Sequence, residues 1–390
     1  MSPRLLLSCG EASGDLYAGA LTRELLALDP ALRIAGLGGP QFAAAGGHLV
    51  DDYRELSVTG LTEWIPKLPR LLTARRRLVE AAQAERPDAL VLIDFSGFNF
   101  RLAPAIKALG VPVVYYISPQ IWASRPKRID TIRRIADRML VIFPFEAAIY
   151  EQGGVPVEFV GHPLIDLAKP AAPRERFLAG RGLTPSAATV AILPGSRPNE
   201  VSRILPDLVA AAGLIAGAVS GAQFVVARAP HLDDSLFETV RAGRGSERFT
   251  VVEGDTDTVL ASADVALTAS GTATVQAALH DTPMVVVYRM APLSYQLARR
   301  VVRLDTIAMV NLIAGDTIVP ELIQEAFTPE AVAREAIAIL TQDDRAARIR
   351  AGLATVRSRL GGPGASRRAA QAILRIAERG SRNADEQDSH

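Results

Sequence analysis

Short apolar runs rich in β-branched residues alternate with helix-period segments along almost the whole chain. The alternation breaks once, at a proline-bearing stretch, and then starts again. This pattern builds parallel α/β sheets, because two parallel strands need a crossover and the crossover is usually a helix. Before the break the predicted strands are Arg4–Cys9, Arg33–Leu37, Ala89–Asp94, Val111–Ile117, Arg138–Phe143 and Val157–Val160. Helical patterns at Asp15–Leu28, Leu71–Ala84 and Lys127–Ala136 separate several of them. The break is Leu167-Ala168-Lys169-Pro170-Ala171-Ala172-Pro173. Beyond it come strands at Val190–Leu193, Gln223–Ala227, Thr250–Val252, Val265–Thr268 and Met284–Tyr288, with helices at Glu200–Ala218, Ser235–Ala242 and Thr272–His280. The expected fold is therefore α/β, with two Rossmann-like domains and C-terminal helices. At roughly 150 residues per domain, 390 residues allow two or three. The expected boundaries are 1–167 and 168–342 for the two domains, 343–380 for helices packing across domains or onto a partner subunit, and 381–390 for a disordered tail. Open α/β sheets bind ligands beyond the carboxyl ends of their strands, so the expected site is a cleft that the two domains face.

Composition removes several classes of function. Lys and Arg total 43 against 42 Asp and Glu, so no global field recruits nucleic acid. The single cysteine, Cys9, excludes an internal disulfide, and histidines at 48, 162, 231, 280 and 390 show no close metal-ligand pairing. Leu6-Leu7-Ser8-Cys9 has too short an apolar stretch before it to be read as a lipoprotein signal. Leu208–Ala227 has no charged residue and is long enough to span a bilayer, but Ser220-Gly221 splits it. It reads as a buried helix, a turn and a strand.

Polar and glycine-rich segments collect at the predicted strand ends. Gly10-Glu11-Ala12-Ser13-Gly14-Asp15 opens a helix after the first strand. Its amides suit an anion or sugar hydroxyls, or the segment is an ordinary turn with Asp15 or Ser13 as a cap. Asp94 ends a very apolar strand and is followed by Phe95-Ser96-Gly97-Phe98-Asn99. A carboxylate there can serve as a general base or simply bind neighbouring amides. Ser118-Pro119-Gln120-Ile121-Trp122-Ala123 suits a sugar or the core equally. In the second half, Leu193-Pro194-Gly195-Ser196-Arg197 places a guanidinium at a strand-to-helix junction, where it can clamp a diphosphate. Ala269-Ser270-Gly271-Thr272 is a second helix-opening loop suited to the same diphosphate.

The stretch Leu61–Leu72 differs in kind. Leu61, Trp64, Ile65, Leu68, Leu71 and Leu72 recur at helical spacing, with Lys67, Arg70 and Arg75-Arg76-Arg77 around them. Pro66 and Pro69 are expected to confine regular helix to the later part. An apolar stripe rimmed with cations suits a membrane interface; the alternative is a helix packed on its own domain with a solvated basic face.

Taken together the segments resemble the lipid-A-disaccharide synthases, glycosyltransferases of the GT-B fold, over roughly residues 4–375. The motifs carrying the resemblance are GEASGD at 10–15, IDFSGFN at 93–99, YISPQIWA at 116–123, GHPLID at 161–166, LPGSR at 193–197, ASGTAT at 269–274, YRM at 288–290 and NLIAG at 311–315. The resemblance implies an inverting glycosyltransferase. It condenses UDP-2,3-diacylglucosamine with 2,3-diacylglucosamine 1-phosphate to the β-1,6-linked lipid A disaccharide 1-phosphate and releases UDP. It further implies a cytoplasmic enzyme, peripheral on the cytoplasmic face of the inner membrane, using neither cofactor nor metal and acting as a homodimer on an anionic surface. Residues 1–167 would then hold the acceptor and face the membrane, and 168–342 would bind the UDP-sugar. Carried over by motif, Asp94 is the base, Arg197 neutralises the departing UDP, and Asn311 is a further catalytic position. Ser196, Arg197, Ser270, Gly271, Thr272 and Gln276 line the UDP site. Glu11, Ser13, Gly14, Asp15 and Asn99 belong to the acceptor and signature loops, and Trp64, Ile65, Leu68 and Leu72 face the membrane.

Two positions depart from the family pattern. Ser124 stands where Trp is common, and Gln276 where Glu is usual and expected to bond the uridine ribose. Gln276 is expected to bind the ribose as a neutral partner, with glutamate there matching it or modestly tightening binding. The competing readings are a UDP-sugar 2-epimerase of the same two-lobed architecture and a non-catalytic lipid carrier. The absence of G-x-G-x-x-G disfavours a nicotinamide oxidoreductase.

Overall fold

In a computed structural model, residues 3–56, 64–121, 128–230, 232–242, 249–290 and 306–387 are described. The chain divides into one unit of Met1–Leu167 with Leu360–His390, and a second of Ala168–Arg359. The first is built on seven parallel strands, β1 (Arg4–Ser8), β2 (Arg33–Gly38), β3 (His48–Asp52), β4 (Ala89–Ile93), β5 (Val113–Tyr116), β6 (Arg138–Val141) and β7 (Val157–Phe159), in the order β3-β2-β1-β4-β5-β6-β7. Their crossovers carry α1 (Ala12–Leu28), α2 (Pro40–Ala44), α3 (Trp64–Glu85), α4 (Ser96–Lys107), α5 (Ile129–Ile135) and α6 (Pro144–Gln152), and α7 (Leu164–Leu167) follows β7. Helices bury the central strands, β4 and β5 completely and β1 from Leu5 onward. This is why β1, β4 and β5 read as unbroken apolar runs rather than alternating ones. Cys9, just past β1, is buried.

The second unit repeats the plan with β8 (Thr189–Leu193), β9 (Gln223–Arg228), β10 (Phe249–Glu253), β11 (Val265–Ala269), β12 (Met284–Tyr288) and β13 (Glu321–Ile323), in the order β10-β9-β8-β11-β12-β13. Its helices are α8 (Arg174–Ala179), α9 (Pro198–Ala218), α10 (Glu238–Ala242), α11 (Thr256–Ala261), α12 (Thr272–Leu279), α13 (Met309–Ala314), α14 (Pro329–Thr341) and α15 (Asp343–Arg359). Arg174 anchors the entry after the prolines: its guanidinium pairs with Asp264 at 2.9 and 3.0 Å and bonds the carbonyls of Pro185 and Ala187. Helix α9 is the one described helix long and apolar enough to cross a membrane. It packs against α14, with Val201, Ile204, Leu205, Leu208 and Ile215 buried, and turns into β9. The helix, turn and strand read from Leu208–Ala227 are therefore present.

After α15 the chain returns to the first unit as α16 (Ala365–Gln387), which lies along α1. Small residues at the contact (Ala365, Ala369, Ala370, Ala372, Ala377) are buried and let the two helices approach closely. The GHPLID segment holds this return. Asp166 accepts the Gly364 and Ala365 amides at 2.8 and 3.2 Å, doing from outside what an N-cap side chain does from within. The His162 amide donates to Leu360 O at 2.9 Å, and Arg368 Nε donates to Val160 O at 2.8 Å. His162 is buried beside Tyr17 and Phe143, and burial drops its pKa to about 3, so the ring stays neutral. Replacing Asp166 with Ala orphans two helix-initiating amides and should lower stability by about 1–3 kcal/mol. An unchanged denaturation midpoint would contradict this role.

Three local expectations need correction. Helix α3 begins at Trp64 and runs through Pro69. Pro66 sits in the first turn, where an amide has no helical partner to lose, and only Pro69 costs a backbone bond. Strands β3 and β13 were not expected. Both are sheet edges, one ending in Asp51-Asp52 and the other three residues long. Helix α16 continues to Gln387, beyond Ser381 where the polar tail was expected to lose structure.

Candidate active site

In each sheet the chain reverses direction of growth once. In the first this happens between β1 and β4, and in the second between β8 and β11. At such a switch point the following loops diverge and leave a crevice at the carboxyl ends of the strands. GEASGD follows β1 and IDFSGFN follows β4, while PGSR follows β8 and ASGT follows β11. All four motif loops thus stand at the two places where such folds bind ligands.

In the first unit, Asp94 leaves β4 with φ 43° and Phe95 follows with φ 45°. Two successive left-handed non-glycine residues are costly, about 1–3 kcal/mol each, and persist only where the surroundings hold them. Here the Asp94 carbonyl accepts Asn99 Nδ2 at 2.8 Å and the Tyr115 hydroxyl at 2.6 Å. Ser8 Oγ in turn donates to Asn99 Oδ1 at 2.7 Å. Burial, then the charge of Asp94, pushes the Tyr115 phenol far above its ordinary pKa, so it remains a donor. The Asp94 side chain is exposed at the tip of this clamp. Phe95 turns back under the neighbouring loop: a Cβ on Gly10 would lie 2.4 Å from its ring. Gly10 is therefore fixed by close approach, and it couples GEASGD to IDFSGFN.

Two residues grouped with the acceptor loops have inward roles. Asn99 is fully buried and acts on Asp94 through the backbone. Asp15 is also buried, and its carboxylate accepts the amides of Gly39, Gln41 and Phe42 at 2.8–3.0 Å, capping α2. Ser13 and Gly14 lie in the first turn of α1, and Glu11 is its exposed N-cap position. Of YISPQIWA, Ser118 and Ile121 are buried, with Ser118 bonded to the Tyr150 hydroxyl. Trp122, Ala123 and Ser124 lie outside the described residues.

Helix α3 divides the 61–72 stripe between two environments. Leu71, Ala74, Leu78 and Ala82 enter the core, whereas Leu68 and Leu72 are 42% and 54% exposed. With Leu71 and Phe98, and with Arg75 and Arg101 at the rim, they line a small apolar depression. Arg70 is not a free member of the cationic rim: it pairs with buried Asp51 at 2.6 Å and with Glu55. Leu61 and the side chains of Trp64, Ile65 and Lys67 lie outside the described residues.

In the second unit, Arg197 is the N-cap residue of α9, and its Nη1 lies 3.2 Å from Glu200. Ser196 beside it is exposed. Tyr288, ending β12, lies close enough for its phenol pKa to be raised by burial first and by Glu200 second, with Arg197 opposing. Arg289 is structural, joining Asp207 to the Phe327 carbonyl. Across the switch point, the Ser270 hydroxyl donates to Ile307 O at 3.1 Å. Gly271 has φ 155° and ψ −159°, a region essentially restricted to glycine, and a side chain there would meet nothing within 4 Å. Thr272 is the exposed first residue of α12.

Asn311, read from its motif as a catalytic position, is bonded within its own unit. Its Nδ2 donates to Val319 O at 3.0 Å and Glu321 Oε1 at 2.6 Å, and its Oδ1 accepts the Ile318 and Val319 amides at 2.9 and 3.0 Å. Both donors and both lone pairs of the amide are used in these bonds. Gln276 also differs from expectation. Its Nε2 donates to Asp257 Oδ1 at 3.1 Å, and the same oxygen lies 2.8 Å from His280 Nε2. A glutamate at 276 would place a second carboxylate against Asp257.

Two parallel α/β units with polar loops at both switch points form a GT-B-like fold. Solved structures with this likeness include the UDP-GlcNAc 2-epimerase from Neisseria meningitidis bound to UDP-GlcNAc, with TM-score 0.70, 11% identity and coverage of 96% of this chain and 100% of that one. Another is the glycotransferase of kitacinnamycin, with TM-score 0.64, 18% identity and coverage of 97% and 100%. These identities establish the fold alone. The lipid-A-disaccharide synthetase family matches residues 5–376. The lipid-A-disaccharide synthase of Syntrophus aciditrophicus is 42% identical over 375 residues, covering 96% of this chain and 98% of that protein. That of Anaeromyxobacter dehalogenans is 44% identical over 381 residues, covering 96% and 99%. The chain belongs to the lipid-A-disaccharide synthase family.

Proposed function

We propose that this chain carries lipid-A-disaccharide synthase activity in lipid A biosynthesis, joining UDP-2,3-diacylglucosamine to 2,3-diacylglucosamine 1-phosphate. What carries the reading, beside the family match, is the placement of IDFSGFN and PGSR at the two switch points. Asp94 takes the proton of the acceptor 6-hydroxyl as that oxygen attacks the anomeric carbon from the face opposite UDP. The anomeric C–O bond breaks and its electron pair passes to the β-phosphate oxygen. Arg197 meets that charge, with the amides of the Ser270–Thr272 loop at the start of α12 adding fixed positive dipoles. Ser8, Asn99 and Tyr115 aim the base through the Asp94 backbone. The test is UDP release from purified protein: both acylated glucosamines together should give it and either alone should not. Release from the donor alone would favour another chemistry.

The same reading has the enzyme act as a homodimer at the cytoplasmic face of the inner membrane. The exposure of Leu68 and Leu72 beside Arg75 and Arg101 supports peripheral docking there. Replacing both leucines with Ser should reduce co-sedimentation with anionic liposomes, and salt should weaken what remains, since exposed charges are screened over about 8–10 Å. Binding that neither change alters would show that the stripe does not meet lipid.

A further inference from the structure

Helix α12 begins at the diphosphate loop and presents Thr272 and Gln276 one turn apart, with His280 at its C-cap a further four residues on, which places them along one stripe. Against this stripe α11 sets Asp257, whose Oδ1 is shared by Gln276 Nε2 at 3.1 Å and His280 Nε2 at 2.8 Å. A carboxylate has only acceptors to offer, so it determines which end of the Gln276 amide turns toward it. The nitrogen faces Asp257 and the oxygen faces the other way. Without that carboxylate an amide side chain can present either end, and only its carbonyl end accepts a hydrogen bond from a ribose hydroxyl.

We infer that Asp257 is a positioning residue for nucleotide recognition: it locks Gln276 with Oε1 as the acceptor for the ribose hydroxyls, so that the Asp257–Gln276 pair does together what one carboxylate side chain would do alone. This rests on the reading of the Ser270–Gln276 segment as part of the UDP site. The pair is then a coupled unit. Neither member can be changed to the other's chemistry without its partner, because an acid at both positions repels and an amide at 257 no longer dictates the orientation at 276.

The experiment is calorimetric titration of the purified full chain with UDP and, in parallel, with inorganic diphosphate, which has no ribose. Thermal melting of each variant confirms that it is folded. Asp257→Ala should weaken UDP binding several-fold and leave diphosphate binding unchanged. Gln276→Glu should weaken UDP by about tenfold, the scale of one lost charge-assisted bond. Combining Gln276→Glu with Asp257→Asn should restore UDP binding to near wild type, because the new amide donates to the introduced carboxylate and keeps the hydrogen-bonding capacity of the α11–α12 contact. Equal losses for UDP and diphosphate would assign the pair a purely structural role and overturn the inference. So would a Gln276→Glu variant that binds UDP like wild type, or a double variant that fails to recover. Wild-type protein that binds no UDP overturns the nucleotide reading and this inference with it; wild-type binding without the coupling overturns this inference alone.

Discussion

Asp94→Asn should reduce turnover by at least ~100-fold, the usual contribution of a positioned general base, while melting temperature and UDP affinity stay near wild type. Asparagine is the informative replacement because the fold uses two things from this residue, and asparagine keeps both. The first is the backbone carbonyl that accepts Asn99 and Tyr115. The second is φ 43°, a left-handed value that asparagine tolerates better than most residues. Only the capacity to accept a proton at neutral pH is lost. Near-wild-type turnover in this variant would remove Asp94 from the role of base.

For Arg197→Ala the expected loss in kcat/KM is about 100- to 1000-fold, the range for deleting one preorganised donor to a developing anion. Stability should change little, because the pair with Glu200 is partly exposed. Exposed pairs of that kind are worth less than about 1 kcal/mol. Arg197→Lys should fall between, since lysine supplies charge without the bidentate fork. The measurement is steady-state kinetics alongside UDP titration. An alanine variant with wild-type kcat/KM would mean that the guanidinium does not meet the leaving group.

The central strands were legible because burial on both faces removes any need for polar alternation. β4 is Ala89-Leu90-Val91-Leu92-Ile93, wholly buried, and no other element type fits five such residues between turn signals. The edges were not legible. β3 ends in two acids, of which Asp51 pairs with Arg70 and Arg77 of α3, and polar edge residues mask a strand while protecting it from further pairing. α3 itself was cut short on the strength of two prolines, although a first-turn proline costs a helix almost nothing.

At the site, motif loops could be read from glycine and polar punctuation, but partners could not. That Asp15 caps α2, that Asn99 braces Asp94 and that Asn311 spends its whole amide on the chain from Ile318 to Glu321 all depend on how the chain turns back on itself, which residue types alone do not announce. The same is true of Asp257, 19 residues before Gln276 and invisible as its partner until α11 and α12 are side by side. A polar residue in a motif looks the same whether it faces a ligand or its own backbone.

Product analysis tests the central claim most directly. Purified protein should be incubated with UDP-2,3-diacylglucosamine and 2,3-diacylglucosamine 1-phosphate, and the products identified by mass spectrometry and by NMR of the glycosidic linkage. The account predicts UDP in equal amount with one β-1,6-linked tetraacyl disaccharide 1-phosphate. A 2-epimer of the donor, an α-linked product, or recovery of both substrates unchanged would contradict it.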